Sequence, residues 1–211
     1  MEMIFFVIVL LLSVIIHEYS HGIVAYAQGD PTAKFAGRLT LNPIPHIDLL
    51  GTIVIPLLLV LTKAGFLIGW AKPVPYNPYN LKNQRFGPAL VGAAGPASNF
   101  LLALIFSIII FFIPEQIDNL KIFLGIIVYV NVVLGVFNLF PIPPLDGSKV
   151  LFALLPSSLI NFQYFLERFG FLILIALILY GGKIIGYPIF LLVFIFLGQD
   201  LSIAVLDALL S

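Results

Sequence analysis

Residues 12 to 27 read LSVIIHEYSHGIVAYA, and this stretch decides how the rest of the chain has to be arranged. The apolar run it continues begins near Met3, so His17, Glu18 and His21 lie inside a helix long enough to enter a bilayer. Histidines four apart project from one helix face, a turn from each other. In the pattern His-Glu-x-x-His both imidazoles can bind one zinc, with the intervening Glu as the base toward water. The chain has three His and ten acidic residues in all, yet two His and a Glu fall within five positions. Ionisable groups at hydrocarbon depth are costly, which makes this cluster a functional-site candidate. Its alternative is a buried polar cluster that only ties helices together. A structural zinc fits poorly, because such sites favour closed, Cys-rich shells and there is no Cys here.

At 61% apolar and 9% charged, with a mean hydropathy of +1.15, the 211 residues make a polytopic membrane protein with no room for a sizeable soluble domain. The net charge is zero and no basic run argues for nucleic acid. Without cysteines, disulfides and thiolate chemistry are excluded, so any metal must use His, Asp or Glu. The N-terminus lacks the basic region of a signal peptide and is expected to stay as the first span.

That first helix, about Met3 to Ala27, is stopped by Gly29, Asp30 and Pro31, with His17 about 21 Å along it. Thr32 to Asp48 reads as an extended loop containing His46, which is either a ligand or substrate contact or a solvated, interfacial His. Leu49 to Thr62 is apolar but only 14 residues long, which suits a re-entrant segment. In the following AKPVPYNPYNLKNQRFG the prolines forbid a regular helix, leaving an extended edge for substrate backbone or a plain connector.

A second helix, about Pro88 to Ile113, opens with PALVGAAGPASNF, whose small residues let another helix approach closely. Asn99 there reads as an interhelical hydrogen-bonding group. After the loop PEQIDNLK, a third helix, about Ile122 to Phe140, runs into NLFPIPPLDGSKV. Asp146 can complete a two-His, one-carboxylate shell with a fourth position left open, or merely make a turn or helix cap; pairing with the His motif favours the ligand. Asn138 can aim an amide donor at a developing oxyanion or serve as interhelical glue. Two more apolar helices follow, about Phe162 to Tyr180 and Ile184 to Leu206, hinged at Gly181-Gly182-Lys183.

Six of the ten basic residues lie between the first helix and Pro88, which predicts a cytoplasmic location for that region and an external N-terminus. If Leu49 to Thr62 re-enters, the three ligands meet on the cytoplasmic side. If it spans, Asp146 emerges on the wrong face.

HEYSH in one membrane helix, GPASN in another and NLFPIPPLDG after a third resemble the site-2 proteases, the intramembrane zinc metalloproteases of peptidase family M50. The resemblance covers about Ile16 to Lys149. It implies His17, His21 and Asp146 as ligands of one zinc, Glu18 as catalytic base and Asn138 near the reacting carbonyl. GWAKPVPYNP also looks like a segment of compact members, and no PDZ or CBS domain is evident. The expectation is therefore an all-α membrane protein of five to six transmembrane helices, with a re-entrant or extended segment between the first two core helices. It forms a single domain, with a catalytic core of about residues 1–150 and C-terminal helices over 151–211. Its partners are a transmembrane protein substrate and the bilayer, no nucleic acid, with homo-oligomers left open. A metal or proton transporter would need polar groups crossing the whole membrane, which MIFFVIVLLL does not offer. A catalytically silent binding protein of this fold would be expected to have lost Glu18.

Overall fold

A computed structural model of the chain describes residues 2–62, 69–114 and 118–210. Lys63 and residues 115–117 of the expected polar loop lie outside them. Among the described residues all regular structure is helical: α1 (Glu2–Ala27), α2 (Thr32–Phe35), a π-helical turn (Leu49–Val54) running into α3 (Ile55–Leu61), α4 (Gly87–Phe111), α5 (Asp118–Asn138), α6 (Gly147–Leu154), α7 (Ile160–Tyr180), α8 (Gly182–Leu197) and α9 (Gln199–Leu210). The apolar composition explains the choice, since a helix satisfies its backbone internally where no water is available. Among the described residues four helices, α1, α4, α5 and the one ending at Tyr180, are long and apolar enough to cross a membrane, and α8 with α9 makes a fifth if that bent pair is one span. Side chains such as Ile105, Ile108, Phe171, Leu172 and Ile195 remain exposed, as lipid-facing positions should.

Helices α1, α4 and α5 form the centre. Val9 packs with Ile126 and Val130, and Ser13 bonds to Asn131, so α1 and α5 run parallel. His21 meets Val91 while His17 meets Asn99, so α4 runs antiparallel to α1. A second apolar cluster joins Ala103 of α4, Val128 and Val132 of α5, and Val193 of α8.

Residues 28–86 leave and return at the same end of this centre. Lys82 N donates to Gln28 O at 3.0 Å, and Asp30, fully buried, accepts from Asn77 N and Asn80 Nδ2. The helical run Leu49–Leu61 between these anchors is about 20 Å long at 1.5 Å per residue, short of a roughly 30 Å hydrocarbon core. Residues 70–77 then pass extended along α1, tied by Trp70 N to Gly51 O, Lys72 N to His46 O, Val74 N to Glu18 and Asn77 N to Asp30.

Three expectations are adjusted. Thr32 to Asp48 is not wholly extended, since it contains α2 and a 3-10 turn at Ile44–His46. The third helix starts at Asp118 and ends at Asn138, ahead of the prolines. The last apolar run is not one straight helix: α8 and α9 meet at a 120° bend. Gly198 sits there at φ 75°, ψ 173°, a region that only glycine reaches readily. The bend lets α9 fold back so that Val205 joins the cluster of Val9, Ile126 and Val130.

Candidate metal centre

His17 and His21 share one face of α1 and their rings stand 88° apart with centroids 4.6 Å from each other. Asp146 arrives from the turn after α5, which the prolines of PIPPLDG bend back toward the bundle. Its Oδ2 lies 3.0 Å from Nε2 of His17 and 3.0 Å from Nε2 of His21. Donor atoms of the three residues all fall within 4.8 Å of one another, and all three side chains are buried. Asp146 precedes α6 but makes no capping hydrogen bond with its side chain. The carboxylate is committed to the histidines rather than to the helix.

The close approach of α4 is permitted by one glycine. A Cβ on Gly95 would collide with the His17 ring and sit 2.6 Å from His21 Cε1. GPASN thus supplies the space in which two imidazoles fit between helices.

The proton positions follow from acceptors that cannot donate. Asn131 Nδ2 donates to the Ile127 carbonyl at 2.9 Å and to Ser13 Oγ at 3.0 Å, which turns its Oδ1 toward Asn99. Asn99 Nδ2 donates to that Oδ1 at 2.9 Å, so Asn99 Oδ1 faces His17. His17 Nδ1 must then carry a proton to donate across 2.6 Å. His21 Nδ1 likewise donates to the Val91 carbonyl at 2.6 Å. With Nδ1 holding the proton, the neutral form of each ring presents an Nε2 lone pair to the same carboxylate oxygen. Three acceptors facing one another at this spacing are relieved by a proton or by a metal cation among them, and two imidazoles with a carboxylate are a donor set that suits zinc. The residues fit the metal.

Lys149, three residues after Asp146, donates from Nζ to Asp146 Oδ1 at 2.9 Å, leaving Oδ2 to the histidines. Burial would push Asp146 toward neutrality, and the Lys149 ammonium beside it opposes this, favouring the carboxylate. Lys149 also lies over the ring of Tyr76, 5.4 Å from its centroid, which links the centre to the extended segment.

Glu18 lies about 100° round α1 from His17. Its Oε2 accepts from Val74 N at 2.7 Å. Asn138 Nδ2 is occupied within its own helix, donating to Leu134 O at 3.0 Å. His46 is not a solvated loop residue: only 1% of it is exposed, Nε2 donates to Thr40 O at 2.9 Å, and its carbonyl accepts from Lys72 N. It stands outside the ligand cluster. Asn99 holds the interhelical role expected of it. Sequence reading passed over Ser13, Asn131 and Lys149. The available signals were a Ser one turn before His17, an Asn inside an apolar span, and a Lys at i+3 from a candidate ligand.

A His-Glu-x-x-His helix that meets an Asp from a second helix end, inside a bundle of membrane-crossing helices, defines an integral membrane protein of the metallopeptidase class. The chain belongs to peptidase family M50, whose family model matches residues 5–121 and 115–177. It is 40% identical over 181 residues to the Bacillus subtilis (strain 168) protein named "Putative zinc metalloprotease YwhC", covering 82% of this chain and 79% of that one. It is also 29% identical over 173 residues to "Putative zinc metalloprotease Rip2" of Mycolicibacterium smegmatis, covering 80% of this chain and 64% of that one. No solved structure matches it.

Proposed function

We propose that the chain hydrolyses peptide bonds of membrane-embedded proteins within the bilayer, with His17, His21 and Asp146 holding one zinc and Glu18 as the base. The convergence of donor atoms from His17, His21 and Asp146 within 4.8 Å of one another, with Glu18 next to His17 in the chain, carries this reading. A zinc ion held by these three residues would supply Lewis acidity toward a carbonyl and an attacking water. Glu18 would take a proton from the attacking water and deliver it to the leaving amine. Asn99 and the Val91 carbonyl keep each imidazole in the tautomer whose Nε2 is free. Asn138 is assigned to the oxyanion, which requires its amide to turn away from Leu134.

Helical substrates have protected carbonyls, so the substrate must unwind before it reaches the centre. Positive-inside loop charge supports a cytoplasmic active-site side with the N-terminus outside, in a prokaryotic cell membrane. No observation favours a transporter. The polar relay from His17 ends at Ser13, and residues 4–12 of α1 are all apolar.

Glu18→Gln tests the reading, because it keeps size and hydrogen bonding while removing the base. Cleavage of a transmembrane substrate in liposomes should fall by about 10²–10⁴-fold with zinc content and fold unchanged. Near-normal cleavage by the zinc-loaded variant would overturn the mechanism.

A further inference from the structure

An apolar cavity of about 300 Å³ is walled by Leu10, Leu11 and Val14 of α1, which lie ahead of His17 on that helix, by Leu134 of α5, and by Trp70. We propose that this cavity receives one large aliphatic or aromatic side chain of the membrane-embedded substrate, two or three residues from the bond that is cut. The proposal rests on the protease reading above and names the side chain that the protease selects.

Two walls lead independently to the base. Val14 precedes Glu18 by four residues and Leu11 by seven, so all three share a face of α1. Trp70 and Ala71 belong to the extended segment whose Val74 N–H donates to Glu18. From the middle of the Leu11–Val14 wall to Glu18 is about 8 Å along the helix. An extended peptide advances about 3.3 Å per residue, which gives the two or three residues of the proposal.

The chemistry of the walls selects the occupant. Among the described residues no charged one lines the cavity, and the hydroxyl of Thr52 already donates to Trp70 O at 2.9 Å. A charged substrate side chain would be buried there without a partner. The Trp70 wall, though half exposed, is tied to the start of the short helical run: its backbone N–H bonds Gly51 O at 3.1 Å, and its indole occupies the space a Cβ on Gly51 would need. A wall held this way, joined to the segment that contacts the base, suits a side chain presented by an extended substrate.

The test uses full-length, zinc-loaded protein and transmembrane substrates carrying Ala, Leu, Phe, Trp or Asp at each position within three residues of the mapped cut. One position should show Leu or Phe cleaved with kcat/KM about 10-fold or more above Ala, and Asp rejected. Leu11→Trp, which fills the cavity, should move the preference toward Ala. Leu11→Ala, which enlarges it, should move it toward Trp. Zinc content and Tm are read on each preparation. Should Leu11→Trp fail to fold, Val7→Trp adds the bulk at a lining position that is 45% exposed. A parent that cleaves without positional preference, or variants that slow every substrate equally, would overturn the pocket while leaving the protease. A phospholipid that copurifies with the parent and is lost from Leu11→Trp, with substrate preference unchanged, would assign the cavity to an acyl chain and equally overturn it. A parent that cleaves none of the substrates would overturn both readings.

Discussion

Each imidazole of the centre is oriented by a carbonyl oxygen rather than by a carboxylate, and for His17 that oxygen is itself held by a second amide. The chain Ser13, Asn131, Asn99, His17 is buried throughout, and its direction is set where Asn131 meets the Ile127 carbonyl. Asn131 is thus a positioning residue that touches no metal ligand. Asn131→Leu should weaken zinc about 10–100-fold, read by chelator competition, and shift the visible spectrum of the Co²⁺ form, because Asn99 is then free to turn its amide toward His17. Asp146→Ala should lose most of about one zinc per chain by metal analysis; full occupancy would remove Asp146 from the shell. At this scale the His-Glu-x-x-His spacing was legible because i and i+4 meet on any helix. Asn131 was not, since its partners lie 32 and 118 positions away along the chain.

Among the elements, the extended segment is fastened to the end of α1 by Asp30. Burial raises the pKa of this carboxyl, but donors from Thr32, Asn80 and Asn77 more than offset it and hold the group below its ordinary 3.8. A carboxylate depressed in the folded state stabilises the fold above its unfolded pKa, and that contribution is lost as pH falls through the folded value. Asp30→Asn should therefore lower stability by about 2 kcal/mol near neutral pH, where the parent keeps charge-assisted bonds. The difference in Tm between the two should narrow as pH drops below about 4. A gap independent of pH would show that the clasp does not depend on charge. At the other end of the chain, Gly198→Ala should cost about 1–3 kcal/mol by forcing a Cβ into the positive-φ bend, measured by thermal unfolding in detergent. Hydropathy marks where this last apolar run begins and ends, but it averages over the one glycine that breaks it.

For the whole molecule, the parallel α1 and α5 with antiparallel α4 require residues 28–86 to enter and leave on one face, and the basic residues there are the basis for proposing that this face is cytoplasmic. A reporter near Asn80 should be cytoplasmic. One near Gln116, which lies outside the described residues, should be external; exchange of the two would invert the topology. By itself the sequence determined the solvent, the approximate extent of α1, α4, α5 and α7, and a candidate donor set, because hydropathy, helix periodicity and side-chain chemistry act locally or over one helix. It also showed that α4 opens with residues small enough for close contact. Only the tertiary structure decided which small residue matters, that Lys149 takes one oxygen of Asp146, that His46 is buried away from the centre, and that α8 turns back into α9. These depend on distances between segments far apart in the chain, where a hydrogen bond or a Cβ clash is settled by a few tenths of an ångström and no local pattern records it.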